Sequence, residues 1–397
     1  MMIGGFFVFK IQTLNAISDK IYGQLTADRY TVSKDEPVPD GILVRSAAMH
    51  DMAFGENLLA IARAGAGVNN IPIERCSREG VVVFNTPGAN ANAVAELVLA
   101  GLFIGSRNVA QGMAWAQSLK GEGDAVPKLV EKGKGQFVGP EVRGKTLGVV
   151  GLGAIGAIVA NAATLGLGMK VIGYDPFISV DRAWSLSSAV GHAASEDEVL
   201  AQADYVTYHI PLNDKTRGSV DAAKLAKMKK GAYLLNFSRG ELVNADDVKA
   251  ALASGQLSAY VTDFPSEAML GQERVVCIPH LGASTPESED NCAAMAAAEL
   301  RDYLECGSIR NSVNMPEVIM GAPEAARVLV IHENIPNMLS SITACVSAEG
   351  INIDNLTNKS RKDMAVTVLE MQDLPTDSAL AAIKVLPGVI RVRTFQN

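Results

Sequence analysis

The sequence has only five cysteines, scattered at Cys76, Cys277, Cys292, Cys306 and Cys345, and none stand as a CxxC pair. An odd, dispersed set argues against a disulfide framework and fits free thiols in a reducing cytosol, so a cytoplasmic location and no metal site are expected. Positive charge is also short: 35 Lys and Arg against 43 Asp and Glu leave a formal net charge of -8. That balance excludes a broad nucleic-acid or anionic-membrane surface, while a local basic pocket for a small anion stays open. Long apolar runs are missing too. No stretch reaches a membrane span without charges or helix-period polar residues, and the opening "MMIGGFFVFKIQ" lacks a basic start and soon turns polar, so no signal peptide is expected. What is there is 397 residues, 48% apolar and 20% charged, enough material for two or three packed cores.

From Phe6 to about Asn92, with Phe6 to Ile11 read as a first strand, short apolar runs alternate with helical pieces and turn residues. "NAVAELVLAGLFIGSRNVAQGMAWAQSL" then reads as a long helix-period segment. A stronger series follows, in which "LGVVG", "KVIGYD", "YVTYHI", "AYLLNFS", "AYVTDF" and "RVVCIPH" read as strands with helices between several of them. Strands alternating with helices imply a parallel, doubly wound α/β sheet. Beyond a helix at "ESEDNCAAMAAAELRDYLECG" and a Pro- and Gly-containing linker, the tail reads strand, helix, strand, strand, helix, strand. That order is a ferredoxin-like βαββαβ unit.

"GLGAIG" sets Gly151, Gly153 and Gly156 in the GxGxxG spacing, directly after the strand "TLGVV" and before a helical run. The first glycine permits the tight turn, the second lets a pyrophosphate approach, the third lets helix pack on strand, and the helix N-terminus faces the phosphates. The next strand ends in Asp175, whose carboxylate can accept from ribose hydroxyls and would repel a ribose phosphate, so NAD is preferred to NADP. A turn aspartate before Pro176 is the ordinary alternative for Asp175 alone.

Arg239, Glu267 and His280 stand at or just after the ends of late strands in this series, where ligands of open parallel sheets bind. Hydride transfer from a 2-hydroxy acid needs a group to take the hydroxyl proton and a cation to hold the carboxylate. Histidine titrates near neutrality, and a carboxylate beside it fixes its tautomer. Arginine offers a planar fork of donors. The assignments are therefore His280 as acid/base, Glu267 as its orienting partner and Arg239 as the carboxylate clamp. Singly, each residue has a bland explanation; together, at corresponding places, they make a constellation.

Those residues, with "GAGVNNIPIE", "FNTPGANANAVAEL", "HIPLNDKTRG", "NFSRGELV", "FPSE" and "IPHLGAST" in order, resemble the D-isomer-specific 2-hydroxyacid dehydrogenase family over nearly the whole chain. The resemblance implies a Rossmann-like NAD-binding domain at 96–284, inserted into a flavodoxin-like substrate domain at 1–95 and 285–315. It implies cofactor contacts from Gly151, Gly153, Ala154, Ile155, Gly156, Asp175, His209, Pro211, Phe237, Ser238, Arg239, Thr262, His280, Gly282 and Ala283. It also implies substrate contacts from Arg45 and Ser46 at the distal phosphate or carboxylate, from the "GAG" turn at Ala66 and Gly67, and from Asn90 and Lys134. Lys134 lies among several lysines, and a solvated loop charge is an equal reading. One departure stands out: the family commonly has Asp two residues before the Phe of "FPSE", and here Thr262 is followed by Asp263, so the cofactor choice stays open.

After a linker at 316–325, residues 326–397 resemble the ACT regulatory domain through "IHENIPNML" and "AEGINI". That resemblance implies an L-serine effector held by His332 and Asn334 of one subunit and Asn352 of its partner, with a structural dimerisation module as the alternative. Asn337 replaces the pattern's glycine and tolerates the left-handed conformation that glycine would supply. The whole resemblance implies NAD-dependent oxidation of 3-phospho-D-glycerate on the route to serine, in a homodimer or homotetramer. The alternatives are an enzyme acting on unphosphorylated glycerate, glyoxylate or hydroxypyruvate, and a non-catalytic NAD-sensing protein.

Overall fold

The computed structural model describes residues 2–3 and 6–397. Two compact units form: the central segment Ala91–Ser288 is one, and the terminal segments Met1–Asn90 with Glu289–Asn397 make the other. The terminal segments open with Met2–Ile3 (β1) and Phe6–Phe7 (β2), paired antiparallel. The first sheet strand, expected from Phe6, instead runs Phe9–Leu14 (β3), because Phe6–Phe7 folds back on its predecessor. With Tyr30–Ser33 (β4), Gly41–Val44 (β5), Ala60–Arg63 (β6) and Val82–Asn85 (β7) it makes a five-stranded parallel sheet in the order β4-β3-β5-β6-β7. Every residue of β5 is buried, and β6 and β7 are buried but for their last residue. Continuous burial is what a parallel sheet covered on both faces demands, and it explains why these strands are apolar runs rather than alternating ones. The short helix Ile73–Arg78 (α1) lies between β6 and β7.

The central unit begins with Ala91–Ser106 (α2) and Val109–Ser118 (α3), which bend by 66° at the break between them. The sequence pattern suggested one long helical run; Asn108, in the left-handed conformation at φ 50, ends it and starts the next helix. Val126–Gly133 (α4) precedes the seven-stranded sheet. Its strands are Thr146–Val150 (β8), Lys170–Tyr174 (β9), Val190–His192 (β10), Tyr205–Tyr208 (β11), Ala232–Asn236 (β12), Leu257–Thr262 (β13) and Val275–Cys277 (β14). They are all parallel in the order β10-β9-β8-β11-β12-β13-β14. Helices Ala154–Leu165 (α5), Val180–Trp184 (α6), Glu196–Gln202 (α7), Ala222–Lys227 (α8) and Ala245–Ala253 (α9) connect them. This is the doubly wound architecture expected. Its edge strand β10 escaped the sequence reading because it is three residues long and mostly exposed, so it carries no apolar run. The order reverses between β8 and β11, which opens a crevice outside their carboxyl ends. Among the described residues no single helix is long and apolar enough to cross a membrane.

Pro286–Cys306 (α10) leads to the tail, where Ala326–Glu333 (β15), Met338–Ser347 (α11), Asn355–Arg361 (β16), Met364–Met371 (β17), Asp377–Lys384 (α12) and Val389–Gln396 (β18) form the βαββαβ unit. Its antiparallel sheet has the order β16-β17-β15-β18. Asn337 holds φ 66 at the start of α11, so the turn survives the loss of glycine. The two central strands, β15 and β17, are buried on both faces, while the edge strand β16 is exposed. Along β15, Val328 and Val330 pack with Ile342 and Ile383 of the helices, whereas Leu329 and Ile331 join a core with Tyr303 and Leu304 of α10. The same strand alternation thus serves two cores. Arginines fasten this second face: Arg391 donates to the carbonyls of Leu58 and Glu79, and Arg393 to those of Tyr303 and Leu304. The Arg393 guanidinium also lies 4.7 Å and 4.6 Å from the ring centres of Tyr303 and Phe395. Between α10 and the tail, Ile309 bridges Val318 and Met315 is buried, so this stretch is packed against the same core.

Candidate active site

The crevice at the strand-order reversal is built by glycine. Gly151 follows β8 at φ 92, and a Cβ there would stand 2.5 Å from the His209 carbonyl oxygen after β11. At Gly156 a Cβ would meet the Gly151 carbonyl oxygen at 2.0 Å, so α5 can seat on the loop only without a side chain. Around Gly153 nothing lies within 4 Å of a would-be Cβ. That open place faces the start of α5, whose N-cap Gly153 brings no side-chain cap, so the N–H groups at Ala154, Ile155 and Gly156 are left for an anion. Asp175 directly follows β9: one carboxylate oxygen accepts from Leu152 N–H at 2.9 Å and the other from Phe177 N–H at 2.9 Å. It therefore locks the glycine loop, and its remaining lone pairs can still accept from a ribose. His209 has a buried, unpartnered Nδ1, while Nε2 meets Thr207 Oγ1 at 3.0 Å. Burial pulls its pKa down to about 4, so the ring is neutral. An open glycine cradle, a locked acid and an orphaned ring nitrogen fit a dinucleotide. Pro211 is exposed just beyond, its carbonyl accepting from Thr216 Oγ1 at 2.7 Å.

Arg239 is presented by the turn after β12. The buried Asn236 shapes that turn, donating through Nδ2 to the Arg239 carbonyl at 2.9 Å and accepting from Ser238 N–H at 3.2 Å. Ser238 Oγ donates to the Tyr208 carbonyl at 2.6 Å, tying β12 to β11, and Phe237 is buried beneath. The Arg239 side chain is exposed and donates to the Ser238 carbonyl at 2.6 Å. His280 follows β14, its ring 4.6 Å from that of Phe264 at a tilt of 45°. Burial first, and the nearby Arg239 charge second, lower its pKa, which keeps it a neutral base at physiological pH. Arg239 and His280 are thus close enough to feel one another. Glu267 lies in the loop after Phe264, exposed, and among the described residues it makes no hydrogen bond or ion pair, to His280 or to anything else.

Thr262 is buried, and its hydroxyl is spent inside the strand end, accepting from Phe264 N–H at 3.1 Å and bonding Tyr260. Its neighbour Asp263, which the sequence marks only as an acid one place along from the family's usual position, enters the site. Asp263 lines a cavity of 450 Å³ with Glu241, Tyr260, Phe264, Met269 and His280. Asp263 is 1% exposed, its Oδ1 has no hydrogen-bond partner among the described residues, and its Oδ2 lies beside Gly282. Burial lifts its pKa to about 6 against the pull of Arg239. The signal was an acid inside an otherwise apolar strand end, but only the fold shows which way it points. Gly282 is buried and Ala283 half-buried after His280.

In the terminal unit, Arg45 follows β5 and forms an ion pair with Glu289 of α10 at 2.6 Å. The N–H groups of Ser46 and Ala47 both donate to Asn15 Oδ1, at 3.0 and 2.7 Å. The "GAG" turn after β6 is held by Asn85 Nδ2 donating to the Ala66 carbonyl at 2.6 Å and by Thr86 N–H donating to Gly65 at 3.1 Å; Ala66, Gly67 and Asn90 are half-buried. Lys134, in the central unit, is exposed and paired with Glu131. In the tail, His332 is buried with both ring nitrogens engaged, Nδ1 at the Glu333 carbonyl and Nε2 at Thr367 Oγ1, 2.7 and 2.8 Å away. Asn334 and Asn352 are exposed, their amides donating to the Lys362 carbonyl and to Asp354.

Comparison with known proteins agrees with this geometry. Residues 100–282 match the family described as D-isomer specific 2-hydroxyacid dehydrogenase, NAD binding domain. The chain is 32% identical to D-3-phosphoglycerate dehydrogenase of Escherichia coli over 85% of its own length and 82% of that protein. It is 34% identical to D-3-phosphoglycerate dehydrogenase of Synechocystis sp. over 83% of its own length, but spans only 57% of that longer protein. Among solved structures, the NAD+-bound 3-phosphoglycerate dehydrogenase of Entamoeba histolytica superposes with a TM-score of 0.60 at 27% identity, covering 77% of this chain and 99% of that one. The chain belongs to the D-isomer-specific 2-hydroxyacid dehydrogenase family, and its central unit is that family's NAD-binding domain.

Proposed function

We propose that this chain oxidises 3-phospho-D-glycerate to 3-phosphohydroxypyruvate with NAD, on the route to L-serine. The observation that carries the reading is His280, held neutral beside the Arg239 guanidinium at the carboxyl end of the parallel sheet. NAD, when bound, supplies the hydride acceptor. His280 takes the proton from the C2 hydroxyl through its ring nitrogen, and Arg239 holds the carboxylate and polarises the forming carbonyl. Glu267 turns towards His280 only in the loaded enzyme, since catalytic hydrogen bonds commonly tighten there. Ala66 and Gly67 offer backbone N–H groups to the substrate carboxylate. Arg45, Ser46, Asn90 and Lys134 serve its distal phosphate. The name shared by the bacterial relatives supports the substrate.

One observation favours a second reading, an unphosphorylated 2-keto acid. Arg45 is already engaged by Glu289, and the Ser46 and Ala47 amides by Asn15. A turnover assay with 3-phosphohydroxypyruvate, hydroxypyruvate and glyoxylate, each with NADH and NADPH, separates the two. The proposal requires the phosphorylated acid with NADH to give the highest kcat/KM. A serine-responsive tail belongs to the same proposal. Asn334 and Asn352 present exposed amides to the effector, His332 supports the loop that carries Asn334, and the exposed edge strand β16 pairs with a second subunit. Serine at millimolar concentration is expected to slow turnover.

A further inference from the structure

The loop after β5 is satisfied from within. Asn15, itself in the left-handed conformation at φ 72, accepts both free amides of the loop through one oxygen, at 3.0 and 2.7 Å. Arg63 Nε donates to the Arg45 carbonyl at 3.1 Å, fixing the backbone from which the Arg45 side chain projects. The guanidinium then meets Glu289 Oε1 at 2.6 Å, with 40% and 42% of the two side chains exposed. A carboxylate on a guanidinium is the same chemistry as a phosphate or carboxylate ligand on that guanidinium.

Glu289 stands in the first turns of α10, alongside Glu287 and Asp290, where acids are favoured by the helix dipole whatever else they do. Asp290 is engaged elsewhere, accepting from Ser18 Oγ. Glu289 alone among these acids reaches Arg45. A half-exposed pair of this kind adds little to stability, because water screens it and two long side chains must be held in one geometry, so it yields readily to a better ligand. Its charge does not leave with it: after release the carboxylate stays tethered to α10, within Coulomb range of whatever Arg45 holds.

We infer that Glu289 sets the specificity for the substrate's distal group by occupying, on Arg45, the place that the distal anion must take. This rests on Arg45 as the anchor of the substrate's distal group, as proposed above. A dianionic phosphate has to displace Glu289 and then endure its repulsion; a distal hydroxyl does neither. Glu289 therefore holds the discrimination between phosphorylated and unphosphorylated 2-keto acids below what Arg45 would give unopposed.

The test is the ratio of KM values for hydroxypyruvate and 3-phosphohydroxypyruvate, with NADH, in the wild type, Glu289→Gln and Arg45→Gln, each checked for an unchanged melting temperature. Glu289→Gln is expected to lower KM for the phosphorylated acid and raise the ratio by on the order of tenfold, with kcat for that acid retained. A purely helix-stabilising role would move both KM values alike and leave the ratio where it was, which overturns the inference. The two layers fail separately. If Arg45→Gln raises KM for the phosphorylated acid while Glu289→Gln leaves the ratio fixed, the substrate reading stands and the role of Glu289 falls. If Arg45→Gln changes neither KM, Arg45 is not the anchor and both fall together.

Discussion

Asp263 carries an ionisable group where the fold would rather have a neutral one. Its folded pKa of about 6 lies above the ordinary 3.8, and burial is the main cause. Below pH 3.8 the carboxyl is protonated in folded and unfolded chains alike, and its stabilising contribution is intact. As pH rises through about 6 the unfolded chain has already ionised, and the folded chain loses up to about 3 kcal/mol. Asp263→Asn should therefore raise the melting temperature of the central unit by up to about 6–12 °C at pH 8 and leave it nearly unchanged at pH 4. Differential scanning calorimetry of both proteins at the two pH values reads this out; an equal shift at both would mean the carboxyl is not the source. His280 has the opposite sense, lowered by burial and by Arg239, so kcat/KM for oxidation should rise with pH through an inflection below the ordinary histidine value of 6.5.

At the scale of single elements, the glycine loop is the least forgiving piece of the fold. Gly156→Ala puts a Cβ 2.0 Å from the Gly151 carbonyl oxygen, so α5 must lift from β8. Overpacking of this kind costs about 1–3 kcal/mol, and the larger effect should be loss of the melting-temperature rise that NAD gives the wild type. Such elements were legible because their grammar is local: strand, glycine turn, helix and a following acid all lie within one stretch of chain. Arg239 and His280 were legible for the same reason, as strand-end residues in the same series. The Glu289 pairing was not, because its partner stands 244 residues away and nothing local marks it. Nor did the sequence show that Thr262 turns inward while Asp263 faces the cavity. A one-residue change of facing in a strand end is decided by packing, not by residue type. The burial of β15 on both faces had a sign in its run "VLVI", apolar at consecutive positions rather than alternate ones.

At the scale of the whole molecule, the tail's sheet shares a core with α10 and the parallel sheet of the terminal unit, and β18 contributes the fastening. Arg393 joins two carbonyls and two rings, so Arg393→Ala should destabilise the terminal unit by about 2–4 kcal/mol in urea unfolding. Arg393→Lys should recover less than half of that, since an ammonium cannot reproduce the planar fork. The central claim is still the chemistry, and its most direct test is the pH dependence of kcat/KM for oxidation of 3-phospho-D-glycerate by the wild type and His280→Gln. The account predicts a fall of about 10²–10⁴-fold on substitution, with the low-pH inflection gone; near-normal turnover with the inflection intact in His280→Gln would contradict it.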